Sequence, residues 1–555
     1  MGLERIAGIM QGVTSNFETD VLRAIMAEAE ALTGATFGEG GRTDTSLRIL
    51  ADHPRAIAFM IADGILPSNE GRGYVLRRLL RRASRHALLL GHEGHGLMRM
   101  IDKTVELMGV AYPEIVEHAD LIRQIVTSEE ERFGTTLRSG LAMLDEHLEE
   151  LQASGASILP GEVAFVLHDT YGFPIELTAE ICSERSFDVD MDAFDAAMEG
   201  QRERARAQVK DQSWATAGAA FADFVDAGTT EFLGYEMDDT DARVVGIVSE
   251  GHAVEEALAG KRVEVVLDKT TFYGEQGGQV GDVGALTAAG MSFRVEDTRI
   301  PVAGVIAHIG TVEEGAIRVG DTVRASIDHL RRERIRRNHT ATHLLHWALR
   351  AVLGEHVKQS GSLVTPERLR FDFTHFEAMT PEQIAKVERL VNHKVMENHP
   401  VLAYETSLTT ARESGVTALF GEKYGEFVRV LEVGNFSKEL CGGTHVGRST
   451  EIGLVKIVGE SSTGANVRRI EATTSFDALE YLLKEEKELV QAAAALKSAR
   501  FEVAERVDAT LKRLREAEQA AEAAKRAMSE GGVDELLASA VDVGYPLLVA
   551  DAGLV

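Results

Sequence analysis

The sequence predicts a multidomain α+β protein: a helical region, a small β domain, a mixed α/β domain and a long coiled helix. Three observations carry this. At 555 residues, the chain is three or four times the roughly 150 residues of a common domain. Its texture changes from apolar residues recurring at three and four, between Phe17 and about Lys210, to short valine, isoleucine and threonine runs between about Thr230 and Val323. Between Phe476 and Glu530 there is no glycine or proline.

Composition narrows the function classes. Two cysteines exclude a disulfide scaffold and any zinc site built from thiolates alone within one chain, and fit a reducing, cytoplasmic setting. No apolar stretch approaches the roughly 18 residues that span a bilayer, and Met1 to Met10 has no signal-type or lipidation pattern, so no membrane partner is expected. The 59 basic and 88 acidic residues leave a net charge of −29. That favours solubility and confines any nucleic-acid contact to local basic patches.

The helical region comes first, with glycines mainly at segment ends. The β domain follows, with strands such as Arg243 to Val248 and Arg262 to Leu267 separated by glycine-bearing turns. The α/β segment, from about Asp328 to Thr474, opens with a helix and carries strands at Arg368 to Phe373 and Leu454 to Val458. The alanine-, glutamate-, lysine- and arginine-rich stretch after it reads as a helix or helical hairpin. In it Leu482, Leu489, Leu496 and Val503 fall every seventh residue, a coiled-coil seam whose partner is this chain or another copy. After Gly531 and Gly532, a last helix and the strand-like run Tyr545 to Ala550 begin a unit too short to fold alone.

The densest chemistry lies in the α/β segment. His339-Thr340-Ala341-Thr342-His343 places two imidazoles four apart at the opening of an apparent helix, on one face and within reach of one ion. His346 shares the face, so the pair alone is ambiguous. Cys441-Gly442-Gly443-Thr444-His445 adds a thiolate and an imidazole around two glycines that permit a tight turn. This borderline-soft set, His339, His343, Cys441 and His445, suits Zn²⁺ and not Mg²⁺ or Ca²⁺. The general-base glutamate of HExxH peptidases is replaced by Thr340, which disfavours peptidase chemistry. Four protein ligands would make the ion structural, whereas a catalytic ion needs an open position, and spacing does not choose. Thr342, Gln359 and Ser362 are candidate neutral polar groups beside the ion.

Two basic clusters stand out. Arg72 to Arg85 holds six arginines without an acidic neighbour, and on a helical wheel Arg77, Arg78, Arg81, Arg82 and Arg85 oppose Leu76, Leu79, Leu80 and Ala83. The expectation is one packed face and one phosphate-binding face. Arg331, Arg332, Arg334, Arg336 and Arg337 run into the histidine helix and are expected to hold a polyanion against the metal.

Together these pieces resemble the alanyl-tRNA synthetase family, in the same order over nearly the whole chain. Met1-Gly2-Leu3-Glu4-Arg5 looks like the end of the third class II motif, whose arginine contacts ATP. The stretches Asp44 to Arg48, Leu66 to Tyr74 and Asp169 to Pro174 resemble that family's helical tRNA-recognition region. Gly274-Glu275-Gln276-Gly277-Gly278-Gln279-Val280-Gly281-Asp282 is similar to the glycine-rich motif of its editing domain; alone it would read as a turn. HxxxH with CGGTH is similar to the editing-site signature, found with variations in threonyl-tRNA synthetases.

The resemblance implies roles. Asn69 and Asp169 would read the G·U pair of the acceptor stem, for which an amide and a carboxylate supply suitable donors and acceptors, with Arg72, Arg77, Arg78, Arg81 and Arg82 on the tRNA backbone. One Zn²⁺ would sit on His339, His343, Cys441 and His445, with Thr342, Gln359 and Ser362 as the pocket's working residues. Gly2 and Arg5 would belong to the site for ATP and Mg²⁺. The implied division is residues 1–16, a remnant of the class II catalytic domain; 17–215, helical tRNA recognition; 216–327, a β-barrel; 328–475, the zinc-containing editing domain; 476–530, the coiled helix; and 531–555, the start of a C-terminal domain through which copies would associate.

The first two class II motifs, which in the family precede this point, are not in the sequence. The chain alone is therefore expected not to activate alanine, which an ATP-pyrophosphate exchange assay checks. The implied function is that a parent enzyme joins alanine to tRNA(Ala) with ATP, while this portion recognises the acceptor stem and hydrolyses mischarged Ser-tRNA(Ala) and Gly-tRNA(Ala). A stand-alone trans-editing deacylase is the enzymatic alternative, against which the helical region argues. The other is a non-catalytic zinc-stabilised RNA-binding module.

Overall fold

Helix α1, Leu3–Gln11, which leaves Leu3, Ile9 and Met10 exposed, opens a helical region whose later helices bury their apolar residues in two cores. The computed structural model describes residues 2–69, 71–208, 221, 224, 228–416, 425–464 and 466–538, and the chain divides into two units, Met1–Ser475 and Phe476–Val555. Helices α2 (Asp20–Thr33), α3 (Gly41–Ala62), α4 (Gly71–Leu89), α5 (Leu97–Met108) and α6 (Ala119–Ser154) bury Ile25, Leu47, Leu50, Leu76, Leu80, Met100 and Ile122 in one core. Helices α7 (Gly161–Asp169), α8 (Ile175–Glu184) and α9 (Met191–Gln208) close over the far half of α6 around Phe133, Leu144, Phe173 and Phe194. A two-residue parallel strand pair, Ile158–Leu159 with Asp188–Val189, had no signal in the sequence pattern.

The arginine face of α4 does not form as the helical wheel predicts. Helix α8 lies against it, presenting Glu176, Glu180 and Glu184 one turn apart, and α6 brings Glu129. Arg81 holds Glu129 through Nε at 3.0 Å and Nη2 at 2.8 Å; Arg77 reaches the same carboxylate at 3.2 Å. Arg82 grips Glu180 with two nitrogens, and Arg85 reaches Glu184 at 2.6 Å. Arg77, Arg81 and Arg85 are buried. A like-charged row needs counter-charges before it can be desolvated, and two neighbouring helices supply them. Arg78, half exposed and 3.5 Å from Glu176, keeps a solvent-facing position.

Six antiparallel strands then close a barrel: β1 (Asp239–Ser249), β2 (Arg262–Leu267), β3 (Gly284–Ala288), β4 (Met291–Val302), β5 (Val305–Glu314) and β6 (Thr322–Ile327), in the order β6-β3-β4-β5-β2-β1, with β6 returning to β1. Alternate residues of β1 and β6 turn inward onto Phe272, Leu286, Phe293 and Val265, which fill the interior. The expected boundary at residues 215 and 216 lies outside the described residues.

The α/β segment starts at α10, His329–Leu353, whose first turn is capped by the Asp328 carboxylate accepting from the Arg331 N–H. The helix begins ten residues before His339, so HTATH sits in mid-helix and not at its opening. Strands β7 (Gln359–Val364), β8 (Leu369–Thr374), β12 (Val455–Gly464) and β13 (Val467–Thr474) form a sheet in the order β7-β8-β13-β12; β9 (Val401–Ser407), β10 (Phe427–Val433) and β11 (Ser437–Leu440) form a second. Leu345 and Leu349 of α10 pack with Phe371 and Phe373 of β8, and with Val387 and Val391 of α11, Pro381–Met396; a short helix α12, Leu408–Glu413, follows β9.

The second arginine cluster is also consumed internally. Arg332 is fully buried, with Asp282 and the carbonyls of Gly234 and Thr271 around its guanidinium. Arg331 donates to Gly281 O, Arg336 to Gly234 O at 3.4 Å as well as to Glu333 one turn back on its own helix, and Arg337 to Glu451 O. These three and Arg332 tie α10 to its neighbours, so the expected polyanion-holding row does not form.

The helical region and the α/β segment meet through Phe376, which inserts into the helical core. Arg132 of α6 donates to Asn466 Oδ1 at 3.0 Å and to the Phe376 carbonyl; Asn466 Nδ2 donates to the Pro67 carbonyl. Nearby, His356 Nε2 and His375 Nδ1 lie 2.9 Å apart, both buried.

In the second unit, the long helix is broken. Helix α13, Ser475–Leu496, ends where Lys497 adopts φ +52°, and α14 runs Val503–Ala538. The heptad row therefore does not continue from Leu496 to Val503. Gly531 and Gly532 fall inside α14 and start no new helix. Tyr545 to Ala550 lie outside the described residues.

Candidate metal centre and its pocket

Four ligand atoms, from His339, His343, Cys441 and His445, all lie within 4.8 Å of one another. Helix α10 supplies two of them one turn apart, and the loop after β11 turns back to supply the others. Cys441 Sγ lies 3.5 Å from His339 Nε2 and 3.2 Å from His445 Nε2.

Each imidazole is held from outside by its other nitrogen. His339 Nδ1 faces Gln279 Oε1 at 2.7 Å; His343 Nδ1 faces Glu439 Oε2 at 2.6 Å; His445 Nδ1 faces Thr340 Oγ1 at 3.2 Å. A carbonyl or carboxylate at Nδ1 keeps the proton there and leaves the Nε2 lone pair for a ligand, the arrangement found around bound zinc. His346 is set apart: its Nδ1 takes the second Glu439 oxygen at 2.7 Å, and it is not one of the four.

The residues fit a Zn²⁺ ion on their own chemistry. His343 Nε2 is buried with no hydrogen-bond partner, which costs free energy unless something accepts its lone pair. Burial opposes ionisation of Cys441, yet the imidazoles of His339, His445 and His343 hold its thiol well below the ordinary value, toward the thiolate that binds metal. Burial likewise works against the Glu439 carboxylate, but His343 and His346 hold it down at about 2. Gly443 leaves the space the cluster needs, since a Cβ there would stand 2.0 Å from His339 Cε1.

The backbone of the CGGTH loop is clamped from three sides. Arg429 Nη1 donates to the carbonyls of Cys441 and Gly443, both at 2.9 Å, while its guanidinium lies 4.0 Å from the Tyr235 ring centre. The Tyr235 hydroxyl donates to the carbonyl between them, Gly442 O, at 2.6 Å. Gln279 accepts the Thr444 N–H at 2.9 Å.

His339, His343 and Cys441 form one wall of a cavity of about 300 Å³ that Thr342, Gln359 and Ser362 also line. Thr342 Oγ1 donates to Asn338 O at 2.9 Å, which commits its hydroxyl hydrogen and leaves the oxygen to act as an acceptor. Seven sequence-predicted residues are thus brought together or onto one wall. The others lie in the helical region. Asn69 Oδ1 takes a hydrogen bond from Arg77 Nη1, Asp169 accepts from Gln201 at 2.6 Å, and Arg81 donates to Gly172 O in the turn after Asp169. Arg77 and Arg81 therefore position these segments and do not project into solvent. Arg72 opens α4, and Gly2 and Arg5 are exposed at the start of α1.

Sequence reasoning missed Gln279, Glu439, Thr340, Tyr235 and Arg429. Two of them stood within motifs: Gln279 in the glycine-rich run, and Thr340 in HTATH, where it was read only as replacing a peptidase glutamate. The fold of the glycine-rich run is specific: Gly278 has φ +85°, and a Cβ there would meet Ser362 O at 2.4 Å. Glu439 precedes Cys441 by two, and a carboxylate on the inward face of a strand is a signal in hindsight.

Comparison with known proteins places this geometry. Residues 428–471 match the model described as threonyl and alanyl tRNA synthetase second additional domain. Alanine--tRNA ligase of Pelotomaculum thermopropionicum is 48% identical over 538 residues, covering 97% of this chain and 61% of that protein. Those of Xanthomonas euvesicatoria pv. vesicatoria and Xanthomonas oryzae pv. oryzae are 48% and 47% identical, over 98% and 99% of this chain and 60% and 61% of theirs. The chain thus spans about three fifths of these relatives. Residues 1–331, more than half of it, match the model for class II (A) tRNA synthetases, and the chain belongs to that family.

Proposed function

We propose that this chain is the tRNA-recognising and editing portion of an alanine--tRNA ligase, and that it hydrolyses Ser-tRNA(Ala) and Gly-tRNA(Ala). The observation that carries the reading is the convergence of four metal-ligand atoms, three of them from residues lining a cavity shared with Thr342, Gln359 and Ser362. A synthetic pocket that accepts alanine cannot exclude the smaller glycine by size and rejects an added hydroxyl only modestly, so a second, hydrolytic sieve is required. The identity to alanine--tRNA ligases over nearly the whole chain supports the same substrate.

Within the cavity, Thr342 offers an oxygen to the hydroxyl of a seryl ester, and Gln359 and Ser362 supply further neutral donors and acceptors. Neutral groups suit this task because they sense a hydroxyl without a charge to desolvate. A bound Zn²⁺ supplies a Lewis acid able to fix the ester end or lower the pKa of a water. Asn69 and Asp169 read the acceptor stem, Arg72 and Arg78 meet its phosphates, and Gly2 and Arg5 belong to the site where ATP and Mg²⁺ serve the parent enzyme. Association through the C-terminal region and a cytoplasmic location complete the proposal. No helix among the described residues is long and apolar enough to cross a membrane.

The test is deacylation of purified Ser-tRNA(Ala) by the wild-type chain and by Cys441→Ala, with and without a chelator. Loss of turnover on chelation with the fold intact is expected. Equal rates for the two proteins would remove the metal centre from the reaction, and global unfolding on chelation would assign the ion to the fold.

A further inference from the structure

We propose that Gln279, on the glycine-rich loop of the barrel, is a positioning residue of the metal centre, so that tight metal retention requires the barrel and not the α/β segment alone. The inference rests on the metal reading above and adds to it a part supplied by another region of the chain.

The argument turns on which way the Gln279 amide points. The Thr444 backbone N–H is a donor under all conditions, and it lies 2.9 Å from one atom of that amide, which must therefore be the oxygen. The same oxygen is 2.7 Å from His339 Nδ1. An acceptor there forces His339 to carry its proton on Nδ1, leaving Nε2, 3.5 Å from Cys441 Sγ, as a bare lone pair facing the cluster. The Gln279 nitrogen meanwhile donates to Thr444 Oγ1 at 3.0 Å. One side chain thus sets the tautomer of a helix ligand and ties down the loop that carries Cys441 and His445.

Gln279 is fully buried, so bulk water does not replace these contacts. Its backbone is equally determined: its N–H donates to Gln276 O at 3.0 Å, and the loop pairs with β7 through Val280 N–H to Val364 O at 3.1 Å and Val364 N–H to Gly278 O at 2.7 Å. His343 and His445 take their outer partners, Glu439 and Thr340, from the α/β segment itself. His339 takes its partner from the barrel loop.

The experiment is a competition titration of zinc against a chromophoric chelator, together with the cobalt(II) absorption spectrum, on the full chain and on Gln279→Met and Gln279→Glu. Methionine keeps the length and burial and removes every polar contact. Glutamate keeps an acceptor for His339 Nδ1 and Thr444 N–H. Zinc binding is expected to weaken about 10–100-fold in the methionine variant, with altered cobalt ligand-field bands, and to recover in the glutamate variant. Gln279→Ala replaces the methionine variant if that one does not fold. A methionine variant, or the alanine variant in its place, that binds zinc within about twofold of wild type with the wild-type cobalt spectrum overturns the proposal; so do methionine and glutamate variants that are equally weak. A wild-type chain that binds no zinc fails a step earlier, at the metal reading, and takes this inference with it.

Discussion

Arg332 and Asp282 form an ion pair sealed from solvent, with side chains 0% and 1% exposed. Fifty residues separate them in sequence, and the pair joins the first turn of α10 to the end of the glycine-rich loop. The remaining polar atoms are matched too: Asp282 Oδ2 accepts the Tyr273 N–H at 2.7 Å, and Arg332 donates to two carbonyls.

Removing one partner strands a buried charge. Asp282→Ala is expected to destabilise the first unit by about 3–5 kcal/mol, whereas replacing both residues with apolar ones of similar volume costs much less. Urea unfolding followed by circular dichroism measures both; equal losses in the single and double variants would contradict the pairing.

Gly443→Ala places a methyl group where His339 Cε1 stands, 2.0 Å away. The ring must swing out or the loop must shift, and either displaces a ligand atom. Elemental analysis of the variant is expected to find well under one zinc per chain, with stability outside the α/β segment unchanged.

The His356 and His375 pair makes the junction acid-sensitive. Burial pushes both imidazoles down to about 4, helped at His375 by the neighbouring His356 and Arg468. Between about pH 6.5 and 4 the unfolded chain binds protons that the folded chain refuses. Stability is therefore complete above the unfolded value near 6.5 and is lost as pH falls toward 4, by a few kcal/mol. Replacing both histidines with glutamine should flatten the pH dependence of the urea midpoint in that window, and an unchanged slope would place the loss elsewhere.

Arg78 and Arg81 are expected to separate binding from folding on the same helix. Arg81, buried on Glu129, is expected to cost about 3–5 kcal/mol of stability as Arg81→Ala. Arg78→Ala, at a half-exposed position, should leave the melting temperature within a degree or so and lower the salt slope of tRNA binding by about 1. Filter binding at several salt concentrations distinguishes them.

What was legible follows from locality. Strands at Arg243 to Val248 and Arg262 to Leu267, and the ligand spacing at His339, His343, Cys441 and His445, depend on periodicities of two to four residues, which a single sequence displays. The arginine face was misread because a helical wheel shows one helix and not its neighbour: Glu176, Glu180 and Glu184 stand about a hundred residues later. Gln279 was hidden for the same reason, since its partner lies 60 residues on and in another part of the fold. The seven-residue leucine spacing continued in sequence across a break that backbone geometry alone reveals, at Lys497.

Pro67 has no N–H to give and one carbonyl to lend, and it lends that carbonyl to both sides of a joint: Arg77 at 3.5 Å from the helical side, Asn466 from the hairpin between β12 and β13. The loop bearing Asn69 and the hairpin bearing Asn466 are thereby tied to one carbonyl. On the proposed reading of Asn69, a tRNA stem held there is bound at a loop already fastened to the segment whose sheet carries Gln359 and Ser362 of the cavity wall.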